Sequence, residues 1–421
     1  MTFAMPHRWK IQEAPLRCLW LTRMDPVTPD AGDLTYSLHL LMNLGRAGAQ
    51  LTVLAMGRSR TAARKRSANG IEWVIVPPER DREMGGRLAV RSLFTLLPNV
   101  AMQYNTAAFR RELQVQMTRD WNAIVVDHVG MGWVWPAVEA YRRRHPAVVS
   151  VFIAHQCEGD VRRTMARNFQ GNIVRKIGLI VDAEKAYRLE MRLTRRSNLV
   201  SAITAEDLRA FGSSDKVLLL TPGYAGRRAG CCEIDSATPR RVLILGNATW
   251  LAKQMNLTEF ITAADEMFSQ REIELWIVGN VPAHLRTDRR FRATRFLGFV
   301  EDLRPIFRSV RMGIVAERTG GGFKLKTLDY IFNRVPIAAI EGGIAGLPLT
   351  PDVHFLSFGS MRELANGVAM VIDDLARLNT LQRAAYKECE SGFDWSVRGR
   401  TLLNAIRKAV TANMASTQGA R

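Results

Sequence analysis

At 421 residues the chain is too long for one ordinary core, so two domains of roughly 150–200 residues each are expected. Its 47% apolar content is that of a globular protein in water, and no apolar run reaches the ~18 residues of a membrane span. The net charge of +19 points to nucleic acid, an anionic membrane face or a substrate with several phosphates, with a merely solvated basic surface as the alternative.

Basic residues bunch at Arg58–Arg66, at Arg142–Arg144 and from Arg162 to Arg196. No helix-turn-helix, zinc-finger or RNA-binding signature accompanies them, and aromatics do not interleave with them, which argues against nucleic acid. The five cysteines (Cys18, Cys157, Cys231, Cys232, Cys389) are odd in number and lack zinc-ligand spacing. They read as reduced thiols of a cytoplasmic protein. The opening residues hold no apolar stretch of signal-peptide length, so export is not expected.

In chain order, the strand-like run "RCLWLT" leads into the loop "RMDPVTPDAGD" and then "LTYSLHLLMNLGRAG", whose apolar residues recur at helical spacing. "QLTVLAM", "IEWVIV", "NAIVVDH" and "AVVSVFIAH" are further strands with helical stretches among them, followed by "NLVSAIT" and "KVLLLTPG". Residues 223–240 lack periodicity and read as a linker. A second series opens with "RRVLILGN" and runs through "IELWIVGN", "TRFLGF", "RMGIVAE" and "VPIAAIEGG" to "VHFLSF". Val/Ile/Leu-rich strands separated by helices predict parallel sheets covered on both faces, hence two doubly wound α/β domains in tandem. Ligands of such sheets bind beyond the carboxyl ends of the strands, and two facing domains make a cleft.

The stretch "TGGGFKLKTLDY" (319–330) follows the strand "RMGIVAE". The spacing predicts a helix with Leu325, Leu328, Ile331 and Phe332 on its apolar side and Lys326, Asp329, Tyr330 and Asn333 opposite. A glycine turn feeding a helix N-terminus offers unpaired N–H groups and the positive dipole end. Lysines there are unfavourable unless an anion is bound, so Lys324 and Lys326 fit around a diphosphate, with Asp329 placed to accept from ribose hydroxyls. A tight packing turn with snorkelling lysines is the alternative.

"GGGFKLKTLDYIFNRVPIAAIEGGIAGLP" resembles the donor-site block of retaining GT-B glycosyltransferases of family 4, the glycosyl transferase group 1 type. The resemblance extends in order to the loop and helix after the first strand, to "FIAHQCEGDVRR", "LVSAITAEDLRAFG" and "ILGNATW", and to the last segment, "FDWSVRGRTLLNAI". It implies a GT-B architecture of two Rossmann-like domains facing across a cleft. An N-terminal acceptor-side domain would cover 1–225, a linker 226–239, a nucleotide-sugar donor domain 240–395, and a helix over 396–421 would cross back.

The resemblance also implies roles. His155, Lys324 and Lys326 would be catalytic. Gly320, Gly321, Gly322, Asp329, Asn247, Lys253, Gly32 and Asp33 would hold the donor, and His128 and Glu158 would face the acceptor. Family members often carry two glutamates eight positions apart; here the second is Asp329 and the first falls on Gly321, for which Glu317 is a possible substitute. The Asp-x-Asp metal motif is absent, so neither a metal nor another cofactor is expected.

The expected activity is sugar transfer, with retention, from a nucleoside-diphosphate sugar to a glycan or lipid-linked acceptor in polysaccharide or glycoconjugate synthesis. The expected location is the cytoplasm, peripheral on the inner face of an anionic plasma membrane through Arg58, Arg60, Arg64, Lys65, Arg66, Arg162, Arg163 and Arg167. The competing expectation is a catalytically inactive relative that binds a nucleotide or glycan.

Overall fold

The computed structural model describes residues 15–27, 31–59, 65–78, 92, 94–212, 214–248, 250–318 and 322–419. In β1 (Arg17–Thr22) and β5 (Ala123–Asp127) successive side chains enter opposite cores. Leu19, Leu21, Ile124 and Val126 join one apolar cluster; Cys18, Trp20, Ala123 and Val125 join the other. A strand buried on both faces needs an apolar residue at nearly every position, which is why these stretches read as runs and not as alternation.

With β2 (Gln50–Met56), β3 (Lys65–Ala68), β4 (Ile71–Val76), β6 (Val149–Ile153), β7 (Leu199–Ala202) and β8 (Val217–Leu219) they form a sheet in the order β3-β4-β2-β1-β5-β6-β7-β8. Every pairing is parallel except β3 with β4. The sequence reading has no β3, because an edge strand reading "KRSA" carries no apolar run.

The second sheet is built from β9 (Arg241–Leu245), β10 (Glu274–Val278), β11 (Thr294–Gly298), β12 (Met312–Val315), β13 (Ile337–Ile340) and β14 (Leu356–Phe358). It runs β11-β10-β9-β12-β13-β14, all parallel. Two apolar clusters again flank it.

Between β8 and β9 there is neither helix nor strand, yet the segment is pinned to the second sheet's helices. Ile234 is buried, and Asn379 accepts from its N–H at 2.9 Å and donates to its carbonyl at 2.8 Å. The chain crosses between the sheets twice, and the crossings touch: Tyr224 N–H donates to Phe393 O at 2.7 Å. A Cβ on Gly223 would stand 2.5 Å from the Trp395 ring. After the second crossing, the helix Trp395–Gly419 returns to the first sheet. Trp395, Leu402, Leu403, Ile406 and Val410 complete the core containing Tyr36 and Leu40 of the helix Gly32–Arg46. A Cβ on Gly399 would lie 2.4 Å from Asn43 backbone, so glycine sets how closely the two helices approach.

Candidate functional site

The strand ends β9 and β12 are neighbours in the second sheet, and each feeds a helix, Leu251–Gln270 and Leu325–Phe332. Lys253 lies in the first turn of one helix; Lys324 is the N-cap of the other and Lys326 its second residue. All three surround Glu317, two residues past β12. Lys326 Nζ is 2.7 Å from Glu317 Oε1 and Lys324 Nζ 3.7 Å from Oε2, with side chains no more than 14% exposed. Burial works to raise the Glu317 carboxyl, but the charges of Lys326, Lys324 and Lys253 outweigh it and hold the group well below the usual carboxylate range. Burial also lowers Lys324, against the pull of Glu317. Three cations around one carboxylate leave a net positive site where two helix N-termini begin, the electrostatics of an anion cradle.

One turn along, Asp329 is partly buried, and no hydrogen bond reaches its carboxylate among the described residues. Desolvation raises its pKa to about 7. Tyr330, expected beside it on the polar side, is instead fully buried. Its hydroxyl donates to Leu243 O and accepts from Leu245 N, both at 3.0 Å, which staples the helix to β9. A tyrosine body buries like any aromatic once its hydroxyl finds partners, and hydropathy spacing does not register that. Gly313 in β12 makes room for the ring, since a Cβ there would meet it at 2.8 Å.

Across the cleft, β5 and β6 end side by side. His155 Nε2 lies 2.7 Å from Asp127 Oδ1, and Trp20 Nε1–H donates to Asp127 Oδ2 at 2.9 Å. Burial would raise Asp127, but the His155 charge and hydrogen bond, with Ser37 and Trp20, bring it below the ordinary value. An ionised Asp127 fixes the proton on His155 Nε2. Nδ1 is left buried and without a hydrogen-bond partner among the described residues. Asp127 is absent from the sequence-based site; the signal was an acid closing an otherwise apolar strand.

The two halves meet. Gly322 has φ +68°, and a Cβ there would stand 2.7 Å from His155 O. A Cβ on Gly32 would stand 3.4 Å from Leu325 Cδ1. Gly322, the helix that follows it, the start of the first helix and the His155 strand end are therefore brought together between the two sheets. Gly320 and Gly321 lie outside the described residues.

Other expected groups are engaged within the protein. His128, at φ +78°, caps the turn that follows it, its Nδ1 accepting from Gly130 N–H at 2.9 Å. Burial first, then the charges of Arg23, His155 and Arg162, lower its pKa well below the usual histidine value. Its ring centroid is 5.4 Å from that of His155. Glu158 accepts from Arg162 Nε at 2.7 Å and from Gln156 Nε2 at 2.5 Å. Asp33 is paired with Arg23, and Asn247 Oδ1 accepts from Asn280 N–H at 2.8 Å, tying two strand-end loops together. Glu190, which the sequence reading did not single out, caps the helix Glu158–Asn168 by accepting from Glu158 and Gly159 N–H at 2.8 and 2.9 Å. Burial raises its pKa to about 8.

The basic runs divide. Arg162, expected on a membrane-facing surface, is an internal cation paired with Glu158 and with Asp182 at 3.0 Å, because two buried carboxylates need it there. Arg163 pairs with Glu184 at 2.6 Å and lies over the Tyr187 ring; Arg167 is exposed. Arg60 and Arg64, and the side chains of Lys65 and Arg66, lie outside the described residues.

Two Rossmann-like domains with their strand ends opposed across a crevice define the GT-B architecture. Among solved structures, sucrose-phosphate synthase from Thermosynechococcus elongatus is similar at a TM-score of 0.69, with 14% identity over 94% of this chain and 100% of that one. HepE of Anabaena, solved with UDP and glucose, is similar at 0.62, with 13% identity over 93% and 100%. The α,α-trehalose 6-phosphate synthase from Burkholderia multivorans is similar at 0.59, with 14% identity over 95% and 99%. No curated protein matches by sequence. Within that class, residues 239–374 match the family model described as Glycosyl transferases group 1, and the match spans the strands and helices that carry the three lysines. Among the described residues no helix is long and apolar enough to cross a membrane.

Proposed function

We propose that this protein is a glycosyltransferase that moves a sugar from a nucleoside-diphosphate sugar to a glycan or lipid-linked acceptor, with retention at the anomeric carbon. The observation that carries the reading is the convergence of Lys253, Lys324 and Lys326 on Glu317, facing the His155–Asp127 pair across one crevice.

Loss of the diphosphate is the barrier in such a transfer, and fixed positive charge aimed at the developing negative charge lowers it. In this proposal Lys324 and Lys326 receive the leaving diphosphate, joined by Lys253 and the N–H groups of the glycine turn. Glu317 acts as their counter-ion and keeps the ammonium groups oriented before the donor arrives. Asp329 accepts from the ribose hydroxyls, and His155 contacts the reacting sugar or its acceptor through Nδ1. Asp127 is a positioning residue that fixes the imidazole. Closure of the crevice excludes water, which would otherwise compete as acceptor.

A thermal-shift screen of UDP-, GDP- and ADP-sugars tests the donor site, because a ligand bound to the native state raises stability by mass action. A rise with one base series that Lys326→Ala abolishes supports the reading; no rise with any of them overturns it. Gly321, standing where relatives often carry a glutamate, favours a second reading, a nucleotide-binding relative without transfer. Slow release of nucleoside diphosphate from the donor without acceptor separates the two, since only an active enzyme produces it.

A further inference from the structure

The first two turns of the helix Ile173–Arg196 bury almost nothing. Ile173, Val174 and Ile177 are 65%, 74% and 55% exposed, and Ile180 and Val181 follow them in the same condition. The helix's buried residues begin only at Asp182. A segment packed against the same helix is also apolar on its surface. Asn99 N–H donates to Asp182 Oδ1 and Lys185 Nζ to Ser92 O, both at 2.6 Å, so Ser92 and Asn99 lie beside the helix just past Val181. Phe94 and Leu96 there are almost wholly exposed. Large contiguous apolar patches on proteins in water mark interaction surfaces.

The charge around the patch selects the partner. From Val161 to Val181 the sequence carries five lysines and arginines and no acid. Arg162 points inward and Arg163 is paired, whereas Arg167 and Arg175 are exposed beside the aliphatic face and Lys176 is partly exposed. Aliphatic side chains bordered by cations are the composition of a helix that sinks its apolar face into an acidic headgroup region. A symmetric pairing of two copies would instead bring like charges together, since both contribute the same patch.

We propose that the tip of the hairpin formed by Glu158–Asn168 and Ile173–Arg196, together with Phe94 and Leu96, docks on an anionic phospholipid bilayer. The first of these helices begins three residues after His155, and its 11 residues span roughly 16 Å. A membrane-bound tip therefore keeps the crevice within reach of a molecule anchored in the same bilayer. That the molecule is a lipid-linked acceptor rests on the transferase reading; the docking itself does not.

Sedimentation with vesicles of phosphatidylglycerol and phosphatidylcholine, against phosphatidylcholine alone, tests it with the full chain. The wild type is expected to bind only the acidic vesicles, reversibly with salt. The double variants V174E/I177E and R175E/K176E, at exposed positions except for the partly exposed Lys176, are expected to bind at least ten-fold more weakly. Their thermal unfolding and UDP binding, measured in parallel, should match the wild type, which separates loss of docking from failure of the donor site. Wild type that ignores acidic vesicles, or variants that bind as wild type does, overturn the proposal. Concentration-dependent dimerisation removed by V174E/I177E, without vesicle binding, also overturns it and assigns the face to a second copy.

Discussion

Replacing Asp329 by asparagine should make the protein more resistant to unfolding and its nucleotide binding weaker. In an unfolded chain this carboxyl ionises near the ordinary value of 3.8, while burial raises it to about 7 in the folded protein. Between those values the unfolded chain has released the proton and the native state keeps it. The stability tied to this group is therefore complete below about pH 4 and is lost as pH rises through about 7. A gap of roughly three units at about 1.4 kcal/mol each gives about 4 kcal/mol. Screening at a side chain that still touches solvent lowers the expectation to about 2–4 kcal/mol.

The amide of the Asp329→Asn variant has no charge to desolvate. Urea unfolding should show little difference between this variant and wild type near pH 4, and a gain of about 2–4 kcal/mol for the variant by about pH 8. Calorimetry with a ribose nucleotide and its deoxyribose counterpart reads the other side. Wild type should prefer the ribose form, increasingly so as pH passes about 7 and the carboxylate forms, and the variant should lose that preference. A stability difference that does not change with pH would refute the desolvation argument. Equal losses for ribose and deoxyribose would refute the role at the ribose.

Lys324→Ala and Lys326→Ala should each weaken nucleoside diphosphate binding by about 1–3 kcal/mol; calorimetric affinities unchanged in both folded variants would remove the anion cradle. His155→Ala should lower kcat far more than it weakens donor binding, with Asp127→Asn showing a milder form of the same split. Parallel losses of stability and activity would make His155 a packing residue. Gly322→Ala should cost about 1–3 kcal/mol in chemical unfolding, from a positive φ and a Cβ 2.7 Å from His155 O. An unaffected variant would mean that the close approach of the two domains is not maintained in solution.

The strands that build both sheets were legible because burial on two faces demands the runs that "AIVVD" and "RVLIL" display. The lysine cluster was half legible. Glycines and lysines opening a helix predicted clustered positive charge at its N-terminus, but the pairing of Lys324 and Lys326 with Glu317 depends on the geometry at the end of β12, which no local pattern encodes. Long-range pairs were illegible for the same reason: Asp127 finds Trp20 across 107 residues, and Glu190 caps a helix that begins 32 residues earlier. The sequence also overstated the basic surface, since an arginine that neutralises buried carboxylates is spelled no differently from one in water. Arg162 is the case in point.

The return of Trp395–Gly419 to the first core makes the second domain an insertion in the chain's assembly order. Ribosomes deliver β1 through β8 long before the helix that covers Trp20, Tyr36 and Leu40 exists as polypeptide. Through the whole synthesis of the second domain, that apolar face lacks the cover that Trp395, Leu402, Leu403, Ile406 and Val410 supply. The first core is therefore expected to be completed only when synthesis ends, whereas the second sheet can close as soon as its own helices emerge. Expressed alone, the residues before Gly223 would be expected to aggregate unless the last helix is supplied in trans as a separate peptide.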